Sequence, residues 1–168
     1  MAGMFYNCSA FNSDLPIDTS RVTDMSLMFY NASAFNGDLS SWTTSNVVSF
    51  ASMFHNAGRF NGDVSQWNTS SATNFRAMFF GAFSFNSNIS QWNTGHVTSM
   101  SYMFANASRF NADLSRWNTG SVRDLSFMFH NASSANVNVS QWNVNSCIDF
   151  SGLFKGASSQ VTVHNSGV

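Results

Sequence analysis

With 168 residues, 9% charged side chains and a formal net charge of −1, the chain has no basic excess to draw it to nucleic acid or to an acidic membrane surface. No stretch approaches the roughly 20 apolar residues of a membrane helix, so direct membrane insertion is not expected either. Asn and Ser fill most polar positions, Glu is absent, and Lys155 is the one lysine.

The dominant feature is repetition. A Phe-Asn pair stands at Phe11-Asn12, Phe35-Asn36, Phe60-Asn61, Phe85-Asn86 and Phe110-Asn111, with Ala135-Asn136 as a degenerate last member, so the spacing is 24 residues once and 25 thereafter. A unit this short cannot bury its own apolar face, and a fixed period of this size implies stacked units sharing one core. The expected organisation is a single repeat domain over 1–168, with repeats over about 4–157. The start, MAGMFYN, lacks the charged and apolar regions of a signal peptide. It already sits in mid-repeat, which reads as a segment of something longer.

The first unit is short by one residue and has Ile17 where later units carry Trp. In each unit the triplet Asp38-Leu39-Ser40, Asp63-Val64-Ser65, Asn88-Ile89-Ser90, Asp113-Leu114-Ser115 or Asn138-Val139-Ser140 places one apolar residue between polar ones. That pattern predicts a short strand with one buried face. Trp42, Trp67, Trp92, Trp117 and Trp142 follow it and form a predicted ladder. Next come Thr44, Thr69, Thr94 and Thr119, standing where a hydroxyl caps a helix. The stripe Val97, Met100, Met103, Phe104, Ala107 at offsets 0, 3, 6, 7 and 10 then predicts an amphipathic helix or tight helical turns of about ten residues. A second aromatic ladder falls at Phe29, Phe54, Phe79, Phe104, Phe129 and Phe154. The column Asn7, Asn31, Asn56, Gly81, Asn106, Asn131, Gly156 exchanges only between the two residues that best adopt left-handed backbone, and marks the helix end. The fold expected is therefore α/β: a right-handed, leucine-rich-repeat-like solenoid with one short parallel strand and one short helix or helical turn per 25-residue repeat. Beyond Ala157 the pattern fails, and Ser158 to Val168, with the alternating Gln160-Val161-Thr162-Val163-His164, reads as a C-terminal capping strand or a tail.

The string M-F-x-x-A-x-x-F-N-x-D-L-S-x-W-N-T-S-x-V-T-x-M is carried by Met28 to Phe50, Met53 to Phe75, Met78 to Met100 and Met103 to Leu125. It resembles the BspA-type repeat of bacterial and protist surface proteins, an atypical branch of the leucine-rich repeats. The resemblance implies extracellular or cell-surface display and adhesive roles, and it supplies no catalytic residue.

Candidate chemistry is sparse. Asn36, Asn61, Asn86 and Asn111 are expected to form a structural ladder bonding the turning backbone, alongside the Trp and Phe ladders. Asp14, Asp38, Asp63 and Asp113 form a column that calcium would suit, but Asn88 and Asn138 interrupt it, and no cofactor and no metal site are expected. His55 and His130 share a column three repeats apart, without zinc-ligand spacing. Cys8 and Cys147 lie in distant repeats, beyond disulfide reach, and read as small buried hydrophobes. No spacing of Ser, His and Asp indicates nucleophilic catalysis, so an enzyme is not expected.

Specificity is expected where the repeat varies. One variable column is Ser41, Gln66, Gln91, Arg116, Gln141. Another is Leu27, Ser52, Ala77, Tyr102, Phe127, placed on the predicted helix; Gln66, Gln91, Arg116, Gln141, Tyr102 and Phe127 are the binding candidates. Tyr30, Phe80 and Phe83 are further aromatics outside the core pattern. The function expected is a non-catalytic extracellular scaffold for adhesion to, or binding of, a protein or glycan on another surface. The alternatives are self-association end to end through an uncapped N-terminal face, growing filaments, and an ice-binding solenoid using the Thr and Ser columns.

Overall fold

A computed structural model describes residues 1–158; the expected capping strand at Gln160 to His164 lies outside them. The units stack as the period implies, but the described residues contain no helix, and the pairing between coils among them is a series of one-residue parallel bridges. The expectation of a strand and a helix in each repeat is therefore overturned. The coils are built almost entirely from turns.

The predicted helix is replaced by consecutive tight turns. The Met28 N–H closes on the Met25 carbonyl (3.3 Å) and the Ala32 N–H on the Phe29 carbonyl (3.0 Å). Their third residues, Leu27 (φ 61°) and Asn31 (φ 56°), are left-handed, as type II turns require. The same two columns are left-handed in later coils, at Ser52 and Asn56, Ala77 and Gly81, Tyr102 and Asn106, Phe127 and Asn131. Alternate amides leave the coil altogether: Met25, Leu27, Phe29 and Asn31 donate to the carbonyls of Ser49, Ala51, Met53 and His55 at 2.7–2.9 Å. A helix would spend those N–H groups four residues back within its own segment. Here they join one coil to the next.

The predicted strand is replaced as well. The Ser40 amide donates to Asp38 Oδ1 (2.8 Å) and the Trp42 amide to the Leu39 carbonyl (3.1 Å), so Asp-Leu-Ser opens a turn. Leu39, Val64, Ile89, Leu114 and Val139 are buried, yet their segments form no ladder with one another. The parallel bridges run instead through Asp24, Ser49, Asn74, Ser99, Asp124 and Asp149, at the start of the segment where the helix was expected.

Side chains supply the missing bonds in this half. The Trp67, Trp92 and Trp117 indoles donate to the Leu39, Val64 and Ile89 carbonyls of the preceding coil at 3.0–3.3 Å. Asn36, Asn61 and Asn86 Oδ1 accept the Asn61, Asn86 and Asn111 amides at 2.7–2.8 Å. Thr44, Thr69, Thr94 and Thr119 cap no helix: each buried hydroxyl donates to a carbonyl of the next coil, at 2.9–3.0 Å.

The core is aromatic. Phe54 lies 3.8 Å from Phe60 within its coil and 5.5 Å from Phe79 in the next, with planes 8° and 3° apart. Trp67 stacks on Trp42 at 6.4 Å and on Trp92 at 6.3 Å. Buried rings of this size remove roughly 150–250 Å² each from water. That burial offsets the strain of the left-handed residues, about 1–2 kcal/mol for each that is neither Gly nor Asn. The two cysteines are free, Cys8 exposed and Cys147 half-buried, so neither is the buried hydrophobe expected.

Candidate functional site

Outside the core a second aromatic row runs along the stack. Tyr6, Tyr30, His55 and Phe80 occupy one column of successive coils, each following a left-handed turn by a few residues. Their ring centroids are 4.8, 4.4 and 4.4 Å apart and their planes within 5–13°. In the next coil the column holds Ala105, and the row moves sideways. Tyr102, on the left-handed column, stands 6.4 Å from Phe80 with planes 50° apart, and stacks on Phe127 at 5.0 Å. Phe127 meets His130 edge-on at 5.7 Å, and Gly152 leaves the room that a Cβ would take from the Phe127 ring. Tyr6 is 47% exposed, and the other rings of the row are half-buried.

Where the row shifts, a notch of about 320 Å³ opens, lined by Tyr30, Ser52, His55, Arg76, Ala77, Phe80 and Tyr102. Its shape comes from the small members of the left-handed column, Ser52 and Ala77, standing between Leu27 and the much larger Tyr102. The backbone beneath is fixed: the Ser52 amide donates to the Arg76 carbonyl (2.8 Å) and the Arg76 amide to Asn74 Oδ1 (2.9 Å). His55 Nδ1 is buried without a hydrogen-bond partner. Burial, and then the nearby Arg76 guanidinium, lower the His55 pKa from its ordinary 6.5, so the ring is neutral at pH 7. His130, in the same column, is satisfied by the Lys155 carbonyl at 2.9 Å.

A second depression, about 610 Å³, is larger and more polar, lined by His96, Thr98, Gly120, Ser121, Arg123, Ser146 and Ile148. Phe83 is 54% exposed and stands apart from the aromatic row.

The residues singled out from sequence fall in two places. Gln66, Gln91, Arg116 and Gln141 are exposed beside the Trp column, and the amides of the three glutamines reach the hydroxyl of the preceding serine at 3.2–3.4 Å. Tyr102 and Phe127 belong to the aromatic row, on left-handed turns and not on a helix. No hydrogen bond or ring contact links the two groups among the described residues. Sequence reading placed Tyr30 and Phe80 outside the core but did not join them to His55 or to Arg76. The available signal was the aligned column Tyr6, Tyr30, His55, Phe80, in which every member carries a flat ring.

The Asp column is occupied by hydrogen bonds, Asp14 Oδ1 accepting the Asp38 amide of the next coil (2.9 Å) and the later members bonding locally. Asp63 Oδ1 accepts the Ser65 amide (2.8 Å), and Asp113 Oδ1 the Ser115 amide (2.9 Å). That amide, then the same serine's hydroxyl, holds each carboxyl below its ordinary 3.8. Among the described residues no three His, Cys, Asp or Glu side chains are placed to hold a metal ion.

A family model described as "Mycoplasma protein of unknown function, DUF285" matches residues 1–86 and again 62–165. Comparison with curated proteins and with solved structures gives no match.

Proposed function

The chain belongs to this DUF285 family, and from that premise we propose that it is a non-catalytic binding scaffold, displayed outside the cell, that holds a protein or glycan of another surface against its outer aromatic row. The observation that carries the reading is the row itself: Tyr6, Tyr30, His55, Phe80, Tyr102 and Phe127, in ring contact along the outside of the stack. The interior already has its own aromatic columns, and these outer rings add nothing to them. Contiguous apolar surface on a soluble protein marks a contact site more often than an accident. The resemblance to BspA-type surface repeats supports the extracellular setting.

The Thr column does not favour ice binding, because Thr44, Thr69, Thr94 and Thr119 are buried and their hydroxyls are spent on carbonyls. Probing the chain against arrays of host-matrix proteins and glycans tests the proposal. The expected result is a restricted set of positives that a Tyr30→Ala/Phe80→Ala double variant loses while it remains folded. Retention of every positive by that variant would contradict it.

A further inference from the structure

We infer that the notch at the shift of the aromatic row is a subsite for one acidic sugar unit, a six-membered ring bearing a carboxylate, of the uronic acid class. The inference rests on the binding-scaffold reading and names the ligand chemistry of one place on that surface.

The first observation is polarity. The basic groups in the lining are Arg76 and His55, with Ser52, Tyr30 and Tyr102 adding hydroxyls, and no carboxylate lines it. The tautomer of His55 follows from its burial. A buried N–H with no acceptor is rarer and costlier than a bare lone pair, so the proton sits on Nε2, the nitrogen left to meet a ligand. A neutral imidazole with Nε2–H and a guanidinium both donate. The notch is thus supplied with donors and one positive charge, the complement of a carboxylate with neighbouring oxygens, and Arg pairs with carboxylates in a two-pronged geometry.

The second observation is shape. One face of Phe80 is covered by His55 (4.4 Å, 5°) and one face of Tyr102 by Phe127 (5.0 Å, 12°). Phe127 belongs to the following coil, so the free face of Tyr102 is the one turned back toward the preceding coils, where Ser52 and Ala77 line the notch. Phe80, 6.4 Å from Tyr102, leaves no room for a ring between the two and forms a side wall. A pyranose offers C–H groups to such a face and hydroxyls to its rim. The side chain of Asp or Glu in a protein partner would use Arg76 and leave the Tyr102 face idle. At about 320 Å³ the space lies at the small end of ligand pockets, roughly 300–1,000 Å³, which admits one ring. The row on either side would take the rest of a glycan.

The test is a titration of the intact chain with glucuronate, glucose, acetate and a capped glutamyl peptide, followed by NMR on the Tyr102 and Phe80 ring protons. Glucuronate is expected to bind with a dissociation constant of about 1 mM. Glucose and acetate are each expected to bind at least about tenfold more weakly, as loss of one charge-assisted contact gives. Arg76→Gln should weaken glucuronate about tenfold and leave glucose unchanged, whereas Tyr102→Ala should weaken both. Unchanged indole N–H shifts would show that each variant is folded. Glucuronate binding no tighter than acetate, no effect of Arg76→Gln, or tighter binding of the glutamyl peptide would each overturn the assignment. Array binding that survives in Arg76→Gln would leave the scaffold reading standing without this subsite; array binding absent from the unaltered chain, with glucuronate still bound, would do the reverse.

Discussion

Between Thr23 and Ala32 a coil is joined to its neighbour by backbone amides, whereas between Phe35 and Thr44 the joining groups are side chains: the Asn36 amide oxygen, the Trp42 indole and the Thr44 hydroxyl. The consequence is visible in what each half tolerates. Where backbone bonds backbone, one column accepts Leu27, Ser52, Ala77, Tyr102 and Phe127, all left-handed. Where a side chain must reach a particular carbonyl or amide, Asn, Trp and Thr recur with little change. Both halves have one variable column, Ser41, Gln66, Gln91, Arg116, Gln141 in the side-chain-bonded half and this one in the backbone-bonded half, and the aromatic row lies on the latter.

Several substitutions break or sharpen this contrast. Phe79→Ala empties a ring site shared by both halves and should destabilise the chain by about 3–5 kcal/mol, read by urea denaturation. Trp92→Phe puts a smaller ring in the buried column and removes the indole bond to the Val64 carbonyl, which keeps only the Trp67 amide at 3.2 Å, a loss of about 1–3 kcal/mol. Gly81→Ala puts a Cβ on a φ of +64° and against Asn56 Oδ1, and about 1–2 kcal/mol should be lost. Gly81→Asn should recover much of it by rejoining Asn56 to Asn106 in the chain of amides that links Asn31 to Asn56 (3.0 Å) and Asn106 to Asn131 (3.2 Å).

Acid should act on both halves, since Asp149, in the bridge column of the backbone-bonded half, is held below 3.8 by the Ser151 amide and then its hydroxyl; the side-chain-bonded half carries more such carboxylates. Asp38, Asp63 and Asp113 are held below 3.8 by the amide, then the hydroxyl, of the serine two residues on. The unfolded chain thus binds more protons, so their contribution is complete above the unfolded value near 3.8 and is lost as pH falls through the lower folded values. Urea midpoints measured across that window should fall, and fall less in Asp63→Asn, which copies Asn88 and Asn138. The smallest effect distinguishes turn from helix: Ala77→Gly should be neutral or stabilising by up to about 1 kcal/mol, because φ is 52°, whereas a helix would lose about that amount.

Burial was legible in the sequence; conformation was not. Val47, Phe50, Met53, Phe54 and Ala57 are all buried, and their spacing suits a helix only because successive tight turns also return a side chain inward every three or four residues. The Asn and Gly column announced a left-handed state, and that state recurs all along the stack. The second left-handed column stayed hidden because Leu, Tyr and Phe disfavour it, and only Gly3 and Gly152, at its two ends, carry the signal. Asp-Leu-Ser looked like a strand because its middle residue is buried, yet its partner across coils is an indole N–H and not another strand. The notch was illegible for the same reason, since it exists only where Ser52 and Ala77 precede Tyr102 on turns that sequence pattern assigned to a helix.

The most direct test is therefore the backbone angle at Ala77, Tyr102 and Phe127, measured from NMR couplings and chemical shifts of the labelled chain. Positive φ at all three, near the 52–58° found here, is the predicted result. Negative, helical φ at these residues would contradict the turn-built coil, and with it the outer row and the notch that depend on it.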